Sequence, residues 1–334
     1  MKACSRPRTL AGALPGAAKA EVAGKSAALK SVSVRLRPRA FCGEPRGPRS
    51  PQIRRSRLRP VIGVTEPRTV DERIIKSLRD AKRVVVLTGA GVSAESGLPT
   101  FRDKQTGLWE TFKAEDLATP SAFERDPALV WGWYESRRAA VRAAKPNAGH
   151  LAIAAMGDRV PRLTLITQNV DDLHERAGSR AVLHLHGELA RPYCEACRRP
   201  YVFPDGIPQL PRGGARIEPP RCDTCGARIR PGVVWFGESL PGPTWAAARE
   251  AAKDCDVLIC AGTSSLVYPA ASLPEIAIAA GATTLQINPN PTDLDGSVSV
   301  AIRGPSGSVL PQLLAETWDV VSSSGGADYE AVRT

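Results

Sequence analysis

The chain has 334 residues, with 45 Lys and Arg against 34 Asp and Glu and a formal charge of +11. Residues 1–60 hold 15 basic and 2 acidic side chains, and the other 274 residues sum to −2, so the overall charge does not make the whole chain a nucleic-acid binder. Hydrophobic residues make up 43% of the sequence, enough for a full core, and no apolar run reaches the roughly 18 residues of a membrane-spanning helix.

In chain order, residues 1–60 come first, rich in Arg, Pro, Ala, Gly and Ser and without a sustained period. Such a segment buries too little to offset its ordering entropy, so a disordered basic extension is expected. It reads as a tail, a targeting peptide or upstream sequence from a misassigned start. Order is expected from about Val70. Residues 71–81 have the spacing of a short amphipathic helix with Ile74, Ile75 and Leu78 inside. Residues 83–88 (RVVVLT) form a β-branched run suited to a buried parallel strand, and 162–167, 256–261 and 283–288 repeat it. Shorter strands are expected at 182–186 and 298–302, and helices at 122–144, 149–156, 245–252 and 270–280. Strands alternating with helices predict an α/β fold, a doubly wound parallel sheet. Two segments break the rhythm, 101–145 and 194–230, and both read as insertions forming a smaller module.

The first strand runs into Gly89-Ala90-Gly91-Val92-Ser93-Ala94, a GxGxxA turn whose backbone N–H groups could hold a pyrophosphate. No acidic residue closes a second strand about 20 residues on, so this is not the dehydrogenase pattern. Cys194-x2-Cys197 and Cys222-x2-Cys225, 24 residues apart, offer four thiolates to one tetrahedral ion. Four thiolates leave no open position, so a zinc ion there is structural; two unrelated thiol pairs or a redox dithiol are the alternatives. The other cysteines do not suggest a disulfide framework, which points to a reducing compartment and a cytoplasmic location. Arg198, Arg199, Arg212, Arg216, Arg221, Arg228 and Arg230 surround the pairs. A solvated basic face is the simpler reading, because no aromatics interleave for base stacking, and a nucleic-acid partner is not expected.

His184 and His186 are expected on opposite faces of a short strand, one packed and the other opening onto a cleft. His150 is expected to make local hydrogen bonds. Gln168, Asn169, Asp171 and Asp172 follow one strand, Gly262-Thr263-Ser264 another and Asn288-Pro289-Asn290 a third. All fall at carboxyl ends of parallel strands, where such folds bind ligands.

Together, GAGVSAESGLPTFRD (89–103), TQNVDDLHERAG (167–178), HLHG (184–187), the two Cys pairs, VVWFGE (233–238), GTS (262–264) and INPN (287–290) resemble the sirtuins, NAD-dependent protein-lysine deacylases. The resemblance spans about residues 70–318 and leaves out 1–60. It implies a Rossmann-like large domain within 61–334, and a small domain made of a helical module (about 104–150) and a zinc ribbon (about 188–232). It further implies that Gly89, Ala90, Gly91, Phe101, Arg102 and Trp109 contact NAD. Gln168, Asn169 and Asp171 would address the nicotinamide ribose and carboxamide. Gly262, Thr263, Ser264, Asn288, Pro289, Asn290 and Ser306 would hold the adenosine half.

His186 matches the family's general base, aided by Asn169, and an imidazole with an ordinary pKa of about 6.5 suits proton transfer near neutrality. The acyl-lysine backbone would lie along 233–238, against Val234, Phe236 and Gly237. Tyr134-x-x-Arg137 resembles the mark of the class III subgroup, which prefers succinyl and malonyl groups; an i, i+3 pair shares one helix face and can reach one carboxylate. The resemblance therefore implies a desuccinylase and demalonylase with weaker deacetylase activity, acting as a monomer on acylated lysines of proteins. A plain deacetylase, a dehydrogenase and a zinc-ribbon nucleic-acid module are the alternatives. Glu188 and Gly232 depart from the family's commoner residues beside the substrate path.

Overall fold

The computed structural model describes residues 70–100, 111–204, 210–211 and 214–318. In chain order the elements are α1 (Glu72–Asp80), β1 (Arg83–Thr88), α2 (Ala90–Ala94), α3 (Ala114–Leu117), α4 (Pro120–Arg125), α5 (Pro127–Ala143), α6 (Ala148–Gly157) and β2 (Arg162–Thr167). There follow α7 (Leu173–Arg176), β3 (Leu183–His184), β4 (Tyr193–Cys194), β5 (Ile229–Arg230), α8 (Gly242–Asp254), β6 (Val257–Ala261), α9 (Leu273–Ala279), β7 (Thr283–Ile287), β8 (Val300–Ile302) and α10 (Ser306–Trp318). Six strands form one parallel sheet in the order β3-β2-β1-β6-β7-β8, with β1 central and the crossover between β1 and β6. This is the Rossmann-like, doubly wound arrangement expected of the strand-helix rhythm.

Alternation along β1 builds two cores. Val84 and Val86 face a layer of α1, α6 and α10, packed through Ile74, Leu78, Ile153, Met156, Leu310 and Leu313. Val85 and Leu87 face α8 and α9 through Ala248, Ala252, Leu273 and Ala277. Successive side chains on a strand point to opposite faces, so one unbroken apolar run serves both layers.

A third core lies away from the sheet. It gathers Phe123, Trp131, Trp133 and Tyr134 from α4 and α5 with Cys194, Cys222, Ile229, Val233 and Trp235 from the Cys-rich segment. The two segments that break the strand-helix rhythm thus share one interior. The strands β4 and β5 of this part are two residues each, paired antiparallel.

Several elements differ from their expected bounds for local reasons. The helix expected over 122–144 is two helices, because the Asp126 carboxylate accepts from Leu129 N at 3.1 Å and Pro127 opens the first turn of α5. Over 270–280, α9 starts only at Leu273, with Pro274 in its first turn, after a tight turn at Ala270–Ser272. The strand expected over 182–186 pairs with β2 only at Leu183 and His184. Beyond that the chain changes partner: Val234 N donates to His186 O at 2.8 Å, and Gly187 bridges Val233 antiparallel. His186 therefore stands where the sheet hands over to the Cys-rich part.

Candidate active site

The carboxyl ends of β1, β2, β3, β6 and β7 converge on one edge of the sheet, and His186 and the described residues expected to meet the cofactor gather there, whereas Tyr134, Arg137, the segment 233–238 and the four cysteines do not. Gly262 has φ +60°, and a Cβ on it would lie 2.3 Å from Val92 N. In return Gly91 N donates to Gly262 O at 2.8 Å. Two backbones that approach this closely leave a shallow cradle of peptide groups at the amino end of α2, open where a side chain would otherwise stand. Gly89 N donates to Ala261 O at 3.1 Å beside it, and Ala90 is half-buried.

Thr263 organises the adjoining strand ends. Its Oγ1 accepts from Gln168 Nε2 at 2.9 Å, and its carbonyl accepts from Asn288 Nδ2 at 2.8 Å and Gln286 Nε2 at 3.3 Å. Ser264 is half-buried, while Pro289 and Asn290 are exposed; Asn290 N donates to Asn288 Oδ1 at 3.1 Å. Ser306 opens α10. Its Oγ and the Oε1 of Gln286 are buried without a hydrogen-bond partner among the described residues. Buried polar atoms of this kind call for a polar partner. With the glycine cradle, they fit a nucleotide lying across the strand ends.

A denser network lies beneath β2. Asn169 Nδ2 donates to Ser93 Oγ at 3.1 Å, and Ser93 Oγ donates to Asp171 Oδ2 at 3.0 Å. Asn169 N donates to Thr167 Oγ1 at 3.0 Å; Thr167 Oγ1 also accepts from Thr88, whose Oγ1 lies 2.9 Å from His174 Nε2. Burial raises the Asp171 pKa above the ordinary carboxylate range. Burial lowers the pKa of His150 to about 4 and that of His174 to about 3, so both rings are neutral; their centroids stand 4.8 Å apart. As expected, His150 is a local hydrogen-bonding residue, capping α6 with Asn147.

His186 Nδ1 lies 3.0 Å from Gln168 O. A carbonyl only accepts, so Nδ1 carries the proton and Nε2 presents a lone pair. Burial lowers the pKa of this ring, which keeps it unprotonated near neutral pH. His184 was expected on the opposite face, but its Nδ1 lies 3.2 Å from the next carbonyl, Asn169 O. Both rings therefore reach the same turn, as residues two apart on an extended chain should.

On α5, Tyr134 is buried and its hydroxyl accepts from Trp235 Nε1 at 3.0 Å. Trp235 belongs to the segment 233–238, whose Val234 is half-buried and whose Phe236 and Gly237 are exposed. The Arg137 guanidinium stands 5.3 Å from the Trp133 ring, and burial lowers its pKa. Glu238 closes the segment: its carboxylate takes both NH groups of Arg230, at 2.6 and 2.9 Å, and accepts from Trp235 N at 2.8 Å. The two unusual residues beside this path touch each other. Glu188 N donates to Gly232 O at 2.8 Å, and a Cβ at Gly232 would lie 2.0 Å from Arg191 O, so the Glu188–Arg191 turn requires glycine there.

Cys194, Cys197, Cys222 and Cys225 come together with all four Sγ atoms within 4.8 Å of one another. Cys194 Sγ and Cys225 Sγ are 3.4 Å apart, and Cys197 Sγ and Cys222 Sγ 3.7 Å. Tetrahedral zinc with Zn–S bonds of about 2.3 Å spaces its sulfurs by about 3.8 Å. The donor set fits zinc and leaves no open position for catalysis. Several arginines around it are engaged internally: Arg228 with Glu195 at 2.9 Å, Arg216 with Asp126 at 2.5 Å, Arg198 4.0 Å over the Tyr193 ring and Arg230 3.7 Å over Trp235.

Phe101, Arg102 and Trp109 lie outside the described residues. Ser93, Thr167, His174, Trp235 and the Glu175–His184 pair were not singled out for the site. Ser93 could have been read from its place in the glycine turn, and Trp235 from the segment 233–238; the others depend on which strand ends meet.

A Rossmann-like sheet with a ligand edge, joined to a four-cysteine module, defines the class. Comparison with known proteins gives the family. The Sir2 family pattern matches residues 89–269. An NAD-dependent protein deacylase from Methylococcus capsulatus is 58% identical over 243 residues, covering 73% of this chain and 95% of that protein. One from Mycobacterium tuberculosis is 50% identical over 232 residues, covering 70% and 96%. Among solved structures, a Sir2 homologue in complex with NAD aligns with a TM-score of 0.68 at 45% identity, covering 75% of this chain and 94% of that one. A Sir2 complex with a p53 peptide and NAD+ aligns with a TM-score of 0.65 at 30% identity, covering 73% and 97%. The chain belongs to the Sir2 family.

Proposed function

We propose that this chain is an NAD-dependent protein-lysine deacylase that prefers acidic acyl groups, succinyl and malonyl, over acetyl. The family and the named deacylases at 50–58% identity support the reaction class. The observation that carries the mechanism is the His186 ring, neutral, with Nδ1–H held by Gln168 O and Nε2 available.

NAD would supply the ribose carbon that receives the acyl oxygen as nicotinamide leaves, and one water would release the lysine amine, so the products are nicotinamide, free lysine and O-acyl-ADP-ribose. The cradle of Gly89, Ala90, Gly91 and Gly262 takes its phosphates. Gln168, Asn169 and Asp171 address the nicotinamide half, and Thr263, Ser264, Asn288, Pro289, Asn290 and Ser306 the adenosine half. Phe101, Arg102 and Trp109 are assigned to the same cofactor by their motif. His186 takes the ribose hydroxyl proton at Nε2, and its ordinary basicity, trimmed by burial, matches that work near neutrality. The peptide adds as a strand along 233–238, where Val234, Phe236 and Gly237 flank it.

Tyr134 and Arg137 carry the acyl preference. The Tyr134 oxygen accepts from Trp235, which leaves its hydroxyl hydrogen to donate to an acyl carboxylate. Arg137, one turn along α5, adds a guanidinium for the same carboxylate. The Cys4 cluster holds zinc as a structural ion.

Initial rates with succinyl- and acetyl-lysine peptides, with and without NAD, test this reading. His186→Ala should lower kcat by about 10²–10⁴-fold on both peptides. Arg137→Met should lower desuccinylation by about 10-fold or more and leave deacetylation nearly unchanged. Turnover without NAD would sink the reaction class. Equal rates on the two peptides in wild type, unchanged in Arg137→Met, leave a plain deacetylase.

A further inference from the structure

The two histidines of the 184–187 turn face the same pair of peptide groups but take different partners. His186 has one carbonyl. His184 lies between two acceptors, Asn169 O at 3.2 Å from Nδ1 and Glu175 Oε1 at 2.7 Å from Nε2. Neither a carbonyl nor a carboxylate can donate, so both ring nitrogens of His184 must, which makes this ring an imidazolium. Its side chain is only 8% exposed, whereas Glu175 is 41% exposed. Asn169 is then held at three points: its N–H by Thr167, its Nδ2 by Ser93 and its carbonyl by His184.

We propose that Glu175 and His184 form a charged positioning pair that fixes the Asn169 peptide, and through it the Asn169 and Asp171 side chains, in the geometry the nucleotide edge uses. The proposal rests on the reading of Asn169 as a residue of that edge. His184 touches no reacting atom in this arrangement and acts through Asn169 alone. With the ring removed, the carbonyl loses its charge-assisted partner and the 169–170 peptide is free to turn. Asn169 Nδ2 would then leave Ser93, and the hydroxyl that Ser93 donates to Asp171 would lose the donor that orients it.

The surroundings agree with a cation. Burial pushes the His184 pKa down, but the hydrogen bond and charge of Glu175, with Glu188 behind it, overcome this and raise it. Asp171 adds a further carboxylate, neutral His174 lies near, and Arg191, paired with Glu188, adds a positive charge near Glu175. Two residues on, His186 has no carboxylate partner among the described residues and burial lowers its pKa. One turn thus supplies a fixed positive charge and a neutral base.

Four variants test the pair: Asn169→Ala, His184→Leu, His184→Asn and Glu175→Gln. They are assayed with NAD and a succinyl-lysine peptide, and the imidazole titrations are followed by NMR. Asn169→Ala should be inactive. His184→Leu should lower kcat about 10-fold or more with the peptide KM little changed, a cost of misplacement and not of binding. The Asn side chain puts an amide donor near the place of Nδ1, so His184→Asn should recover most of that loss. Glu175→Gln should lower the His184 pKa, with activity falling on the alkaline side of that titration and holding on the acid side.

Wild-type kcat in His184→Leu beside an inactive Asn169→Ala overturns the proposal and leaves the functional reading standing. Equal losses in the Leu and Asn variants, or a His184 pKa that does not move in Glu175→Gln, overturn it as well. A wild type without NAD-dependent turnover overturns the functional reading and the proposal together, and an Asn169→Ala variant that keeps turnover overturns the assignment of Asn169 and with it the proposal alone.

Discussion

The parallel sheet and the Cys-rich module are held together by different means. The sheet's strands of three to six residues alternate side chains into two continuous apolar layers, and only the edge strand β3 is shorter. The module has strands of two residues, and its interior of aromatics is tied by ionic and cation–π contacts such as Glu238–Arg230–Trp235. Repeated burial stabilises the first without help. So short a ladder cannot stabilise the second, which depends on its metal and its charged clasp. In the proposed reading the nucleotide edge lies on the sheet, whereas Tyr134, Arg137 and the segment 233–238 belong to the module, so each would supply a different part of specificity.

Removing the metal is the strongest way to break this comparison. Chelation, or Cys222→Ser, should unfold the module and abolish deacylation while far-UV dichroism of the sheet and its helices largely persists, since structural zinc supplies on the order of 10 kcal/mol. A single cooperative loss of the whole chain would show that the two regions do not differ in this way.

Acid should act on the sheet side. The folded pKa values of His150 and His174 are depressed to about 4 and about 3. The unfolded rings, with pKa about 6.5, bind protons first, so the stability held above that value is lost as the pH falls toward 4. Each ring contributes a slope of about 1.4 kcal/mol per pH unit in that window, and Asp171, whose pKa is raised, offsets part of it. Denaturant midpoints between pH 7 and pH 4 should fall in the wild type and fall less in His174→Gln.

The smallest effect is in the clasp. Glu238→Ala leaves the Arg230 guanidinium, 9% exposed, without its carboxylate. It should cost about 3 kcal/mol of module stability and raise the peptide KM, because Glu238 also holds Trp235 N. A melting temperature equal to wild type would remove the clasp from the account.

Much of this was legible before any coordinates. The apolar runs over 83–88, 162–167, 256–261 and 283–288 gave four strands within a residue of their bounds, because a buried parallel strand leaves a local mark in sequence. The Cys pairs carried their own geometry for the same reason. Composition alone predicts one helix over 122–144, whereas the Asp126-Pro127 stop inside it makes two. The helix expected over 270–280 begins later, at Leu273, because Pro274 takes its first turn and Ala270–Ser272 forms a separate tight turn. The end of β3 could not be read at all, because it depends on the chain exchanging β2 for Val233 and Val234, some 50 residues away.

By itself, then, the sequence determined the doubly wound sheet, the four-thiolate site and the set of polar residues at the strand ends. Only the tertiary structure decided what those residues are. His184 and His186 differ in protonation because Glu175 stands beside one and only the Gln168 carbonyl beside the other, and Gly232 is needed because the Glu188–Arg191 turn lies against it. Periodicity is written in neighbouring residues; the hydrogen-bond partner that sets a proton or a close approach comes from wherever the fold brings the chain back.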